Sequence, residues 1–263
     1  MKNTRISIGS ILIAMVFSVT LLQAQEFKIA KSSGRLELNI GRVTVEGHSG
    51  NEIIFSSLDN KHEKDERAQG LTAINSLGLE DNTGLGINVT DKGNVVQVSQ
   101  LKKTNSPDIK ILVPKGVIIY FTHESQYGGE AKFKNLENEI EVSAQYNSVE
   151  LDNVTGPLTI KTIYGKVEAN FGSTIKSPIS IVSIYGLVDV TLPLATKADL
   201  KLSTSYGEIY VAPEFKIEVE KQGNMIRYSD KISGKINGGG INIDLSANYG
   251  KIYLRTKIGR AHV

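Results

Sequence analysis

The sequence predicts an all-β protein, a β-solenoid whose coils are about 20 residues long and turn at a Tyr-Gly corner. Three observations carry this. One motif recurs as TIYGKVEA (162–169), SIYGLVDV (183–190), TSYGEIYV (204–211) and ANYGKIYL (247–254). Apolar residues occupy alternate positions on both sides of it. The phase of that alternation changes at a fixed glycine.

The repeat tyrosines are Tyr127, Tyr146, Tyr164, Tyr185, Tyr206 and Tyr249. Before them, alternate positions hold Phe121 and His123, Ile140 and Val142, Leu158 and Ile160, Ile179 and Ile181, Leu200 and Leu202, and Ile243 and Leu245. That period marks a strand with one buried face. The next position of the same phase is small: Ser125, Ala144, Thr162, Ser183, Thr204 or Ala247. Each tyrosine shares this parity. The expectation is therefore an inward ladder of stacked rings, with the small residue making room for each ring, and a platform of stacked surface rings for sugars is the alternative. Beyond the tyrosine the apolar pairs are Val149 and Leu151, Val167 and Ala169, Val188 and Val190, Ile209 and Val211, and Ile252 and Leu254. A second strand thus starts at each corner. Gly128, Gly165, Gly186, Gly207 and Gly250 suit a corner because glycine tolerates positive φ. Asn147, which stands at this position after Tyr146, is among the few other residues that visit the left-handed region. The first copy, QYGGEAKF, has an extra glycine, which shifts its apolar pair to Ala131 and Phe133 and predicts a bulge.

A unit this short cannot bury its own face, whereas stacked coils can, with like positions about 4.8 Å apart. Phe121 to Leu254 then makes roughly seven coils, one of them irregular, between Val211 and Ile241. Pro157, Pro178, Pro193 and Pro213 fall at expected turns. Nearer the N-terminus, LELNIGRVTVEG repeats the template, with Ile40 in the tyrosine's place before Gly41. Residues 61–67 are a mixed-charge run expected as a solvated loop. NTGLGINVTDKGNVVQVSQL predicts a hairpin turning near Asp91 to Asn94, and DIKILVPKGVIIYF two strands about a turn at Pro114 to Gly116. The mature chain reads as one domain over 25–257: a cap and first strands over 25–115, then regular coils over 116–257.

Residues 1–24 have the layout of a secretory signal peptide: Lys2 and Arg5, an apolar run from Ile6 to Leu22, and a small residue, Ala24, before the cut. An uncleaved anchor is the alternative. The 30 Lys and Arg face 28 Asp and Glu, so loss of Lys2 and Arg5 leaves 28 of each. A neutral chain has no basic excess for nucleic acid. Without cysteine the chain forms no disulfide, no thiolate metal site and no lipoprotein anchor. The terminal IGRAHV (258–263) matches a translated sequencing adaptor and is set aside, with His262 in it.

The stretches GRVTVEGHSGNEIIF (41–55), DIKILVPKGVII (108–119) and NVTGPLTIKTIYGKVEA (153–169) resemble the adhesin-like family of bacterial domains of unknown function, β-solenoid proteins related to the adhesin-like domain of the head-GIN group. The likeness covers nearly the whole mature chain, although the family more often has a small residue where this chain has tyrosine. It implies an exported envelope or surface protein with an adhesive role and supplies no catalytic residues.

Signals for chemistry are weak. Tyr210 and Tyr253 lie between inward positions, point outward, and are the candidate ligand-binding residues. Outward positions such as Glu141, Lys161, Lys201 and Asp244 carry mixed charge. A row Glu150–Glu168–Asp189–Glu208 could take a cation, but reads better as surface balanced by nearby lysines. His48, His62 and His123 have no partner at metal-ligand spacing, and His123 falls at an inward position. No cofactor is expected. The reading is a non-catalytic surface or envelope binding module for glycans or surface proteins. A periplasmic structural or regulatory protein and a carbohydrate-active enzyme are the alternatives.

Overall fold

The computed structural model describes residues 26–59, 66–172, 175–219 and 230–257. The expected leader, all but the end of the charged run, and residues 258–263 lie outside them.

The protein is all-β. In chain order the strands are β1 (Glu26–Ile29), β2 (Ser33–Asn39), β3 (Arg42–His48), β4 (Ile53–Ser57), β5 (Ile87–Asp91), β6 (Val95–Gln100), β7 (Asp108–Pro114), β8 (Gly116–His123) and β9 (Glu130–Leu136). There follow β10 (Ile140–Ala144), β11 (Ser148–Val154), β12 (Leu158–Thr162), β13 (Val167–Asn170), β14 (Ile179–Ser183) and β15 (Val188–Leu192). The last are β16 (Ala198–Thr204), β17 (Ile209–Val211), β18 (Glu218–Val219), β19 (Asp230–Ile236), β20 (Ile241–Ala247) and β21 (Ile252–Thr256). They form two large mixed sheets that do not close. One has ten strands in the order β1-β4-β7-β3-β9-β11-β13-β15-β21-β17; the other has eleven, in the order β18-β19-β16-β20-β14-β12-β10-β8-β2-β6-β5.

From β8 to β15 the chain changes sheet at every strand, so that two consecutive strands make one rung. Rungs pair in parallel. Ile119, Ile140, Leu158, Ile179, Ile243 and Leu200 align across one sheet. Ala131, Val149, Val167, Val188, Ile252 and Ile209 align across the other. The period-two pattern holds in every rung: in β12, for example, Leu158, Ile160 and Thr162 are buried while Thr159 and Lys161 are exposed. The inward residues of both sheets form one continuous core. The predicted hairpin is present as β5 and β6, paired antiparallel. All four proline positions lie outside strands.

The rungs do not stack in chain order, which corrects the expectation of consecutive coils. The final rung, β20/β21, sits between β14/β15 and β16/β17. At the other end β2/β3 sits between β6/β7 and β8/β9. Between Val211 and Ile241 the described strands add no parallel rung: β19 pairs antiparallel with β16, and β18 with β19. Antiparallel strands also flank the N-terminal rungs, β4 on β7 and β1 on β4. Short antiparallel edges of this kind interrupt the parallel ladder that would otherwise offer itself to another chain.

The register of the first Tyr-Gly rung also departs from expectation. Phe121 pairs with Val142 and His123 with Ala144, two residues out of step with counting back from Tyr127. Parity survives, because the shift is even.

Candidate functional site: a tyrosine ridge

The corner is built differently from the sequence-based expectation. Ala144, Asn147 and Val149 are buried while Tyr146 between them is exposed. The chain thus turns before the glycine position, with the tyrosine at the outer apex and the glycine facing in. The repeat tyrosines are 40% exposed at Tyr146, about half exposed at Tyr127, Tyr164, Tyr185 and Tyr249, and 73% exposed at Tyr206. The inward ladder is therefore corrected to an outward one. The rungs stay hydrogen-bonded around the turn, with Tyr164 N donating to Gln145 O at 2.7 Å, Tyr185 N to Ile163 O at 2.7 Å and Tyr249 N to Ile184 O at 2.9 Å.

The glycines answer to space, since none of Gly128, Gly165, Gly186, Gly207 and Gly250 has positive φ. A Cβ on Gly165, Gly186, Gly250 or Gly207 would collide with the carbonyl oxygen of Asn147, Gly165, Gly186 or Gly250 respectively, in the rung beneath. Asn147 is not left-handed either. Its buried amide accepts from His123 Nδ1 at 2.8 Å and donates to Gly41 O at 2.8 Å, plugging the corner where the stack changes register. Burial pushes the His123 imidazole below its ordinary pKa, partly offset by this bond. Where the small residue two before the tyrosine carries a hydroxyl it bonds the corner backbone, and with the rings outward none of these residues makes room for a ring. Thr162 Oγ1 donates to Gly165 O at 2.8 Å, and Ser183 Oγ accepts from Gly186 N at 3.0 Å.

Five of the tyrosines form an unbroken stack in the order Tyr146, Tyr164, Tyr185, Tyr249, Tyr206. Ring centroids are 4.9, 5.1, 4.9 and 4.8 Å apart and the planes lie within 8 to 18° of parallel. Strand spacing sets this separation, and the ridge runs for about 20 Å. Tyr127 is not stacked on Tyr146: with His123 opposite Ala144 and Ala131 opposite Val149, its corner is three residues longer than the next. None of the five hydroxyls has a hydrogen-bond partner among the described residues. On one flank lie Gln145, half-buried Ile163 and Ile184, Asn248 and Ser205. The other carries Lys166, Leu187, Lys251 and Glu208, with Lys166 paired to Glu168 at 2.9 Å and Lys251 to Glu208 at 2.8 Å.

Tyr210 and Tyr253 do face outward, stacked at 5.4 Å and 9°. Lys251 lies 5.6 Å from the centre of the first ring and Arg255 5.1 Å from that of the second. Tyr210 donates its hydroxyl to Glu208 at 2.7 Å. Hydrogen bonding to Lys251 holds the Glu208 carboxyl below its ordinary range, and the bond to Glu208 raises the Tyr210 phenol.

The acidic row is shorter than expected. Glu150, Glu168 and Asp189 align, but the next partners are Tyr253 and Tyr210. Glu208 precedes Ile209 and belongs to the neighbouring row. The three acids are paired: Glu150 with Lys132 at 3.4 Å, Glu168 with Lys166, and Asp189 with Arg255 through contacts at 2.7 and 2.9 Å. Among the described residues no cluster of His, Asp or Glu is placed to hold a metal ion. His48 Nε2 lies 2.7 Å from Glu52 O, a local loop contact.

A second corner went unread in the sequence. Asn135 and Asn153 take positive φ, 53 and 54°, after the second strand's inward pair, and Asn153 Nδ2 donates to Asn135 Oδ1 at 2.8 Å. The signal was an asparagine two residues after the second strand's inward pair, in KFKN and ELDN.

No family model and no curated protein matches the chain. Among solved structures it is similar to a candidate cell adhesion protein of Clostridium sporogenes ATCC 15579, at 15% identity and a TM-score of 0.45, over 89% of this chain and 100% of the other. It is also similar to a candidate adhesin of Bacteroides fragilis NCTC 9343, at 11% identity and a TM-score of 0.32, over 90% of this chain and 98% of that one.

Proposed function

We propose that the protein is an exported, non-catalytic, adhesin-like binding module: a β-solenoid whose Tyr-Gly corners display a ligand-binding ridge. The observation that carries this is the outward stack of five tyrosines whose hydroxyls have no partner among the described residues. The corner does not need them. The β2/β3 rung turns at Ile40 and Gly41 with Ile40 buried and no aromatic at the apex. Large amphipathic rings kept in water, rung after rung, cost solubility unless they meet a partner. Tyrosine is also a favoured contact residue, presenting wide area with few rotatable bonds. The non-catalytic reading is supported by the pairing of the acids on the adjoining face, which leaves no carboxylate pair free for acid–base work.

Two experiments test this. Protease shaving of intact producing cells, with a lysed control, should remove the protein and so locate it at the surface; protection until lysis would locate it in the periplasm. In a binding assay on envelope and host-matrix material, Tyr164→Ser/Tyr185→Ser should lose retention while Tyr127→Ser keeps it. Equal retention of all three proteins would overturn the ridge as the binding face.

A further inference from the structure

Resting on the ridge as the binding face, we propose that Tyr146, Tyr164, Tyr185, Tyr249 and Tyr206 bind an uncharged β-1,4-linked glycan chain lying along the stack, one sugar per ring. Four features of the ridge choose this ligand.

The first is pitch. Successive hydroxyl-bearing rings are 4.8 to 5.1 Å apart, close to the advance of one pyranose in an extended β-1,4-linked chain. An extended peptide along the same line advances about 3.3 Å per residue and presents like-facing side chains at about twice that, so it falls out of step within two rungs.

The second is which atoms are free. Each inner ring has both faces covered by its neighbours, so the ridge offers solvent its ring edges and its phenol oxygens. A sugar chain has a hydroxyl on every unit to pair with these, each phenol serving as donor and acceptor. A purely apolar ligand would leave them unpaired. The two end rings, Tyr146 and Tyr206, are each stacked on one side, and Tyr206 is the more exposed, at 73% against 40%. There the terminal sugar can stack.

The third is charge. Both ionic groups of each flanking pair, Lys166 with Glu168 and Lys251 with Glu208, are engaged with each other. The rest of the flanks is neutral: Gln145, Ile163, Ile184, Leu187, Ser205 and Asn248. With no unpaired cation among the described residues of its flanks, the ridge gives an acidic polymer no electrostatic advantage over a neutral one.

The fourth is shape. A straight convex ridge of about 20 Å has no walls to enclose a small molecule, which needs a concave site. A polymer can gather many weak contacts along it. Affinity should therefore grow with chain length and level off once the five rings are covered.

The test is calorimetric titration of the protein with cellobiose, cellotetraose, cellohexaose and chitohexaose. Laminarihexaose serves as a neutral ligand of different pitch and an oligogalacturonate as an acidic one. The expected result is binding of the β-1,4-linked neutral hexaoses, tighter than the tetraose and far tighter than the disaccharide. Tyr164→Phe/Tyr185→Phe keeps the stacked rings and removes two hydroxyls, and should bind cellohexaose about tenfold more weakly. Tyr127→Phe should bind as the parent does. Equal binding of laminarihexaose, or no dependence on length, would overturn the pitch argument. Unchanged cellohexaose affinity in the double variant would overturn the ridge as its site. If no glycan binds, yet retention on envelope material still depends on Tyr164 and Tyr185, the glycan assignment falls and the ridge survives.

Discussion

Consider Gly186→Ala. The added Cβ would meet the carbonyl oxygen of Gly165, its carbonyl carbon at 2.6 Å and Ser183 Oγ at 2.7 Å. The first two are backbone of the rung beneath and cannot rotate away, so the corner must open. Opening strains the Tyr185 N to Ile163 O bond (2.7 Å) and the Gly186 N to Ser183 Oγ bond (3.0 Å). Overpacking costs about 1–3 kcal/mol and each weakened hydrogen bond about 1 kcal/mol. A stiffer unfolded chain returns about 0.4–1 kcal/mol. The net loss is about 2–4 kcal/mol. Gly78→Ala is the control: its φ is +75° with nothing within 4 Å of a Cβ, so only the left-handed strain of about 1–2 kcal/mol applies. Urea unfolding followed by circular dichroism compares the two. Should Gly186→Ala cost no more than Gly78→Ala, the steric account of the repeat glycine is wrong.

Three further outcomes follow from the same geometry. Tyr185 stacks on two neighbours, so Tyr185→Ala should lower stability by about 1–3 kcal/mol and Tyr185→Phe by under about 0.5; a loss near 5 kcal/mol in urea titration would mean a buried ring. Asn147→Gly restores the repeat glycine but strips His123 of its partner and leaves a hole, and should destabilise by about 2–4 kcal/mol; a gain in stability would contradict the plug. The His123 pKa is lowered by burial, so its contribution is complete above the unfolded value of about 6.5 and is lost as pH falls from there toward the folded value. Ring titration by NMR should place His123 below about 6.5, and a higher value would contradict its burial.

The strands and their inward faces were legible because a buried face imposes period two, and the repeat showed which residues were equivalent. Three things were not legible. Rung order was hidden because rungs with the same inward pattern fit against one another in any sequence: Leu245 pairs as well with Ile181 as with Leu202. The direction of the tyrosines was hidden because parity counts along a straight strand, and the turn comes one step earlier than the glycine suggests. Asn147 looked like a backbone substitute for glycine, whereas its amide serves His123 and Gly41, which lie far from it in the chain. Of the outward residues, Tyr210 and Tyr253 were found by parity alone; the larger ridge was missed by the same rule.

The most direct test of the whole account is photo-oxidative dityrosine coupling of the native protein, mapped by mass spectrometry. The account predicts links between Tyr185 and Tyr249 and between Tyr249 and Tyr206, since those rings are exposed neighbours at 4.9 and 4.8 Å. A dominant link between Tyr185 and Tyr206 would restore rungs stacked in chain order, and an absence of coupling among these rings would return them to the interior.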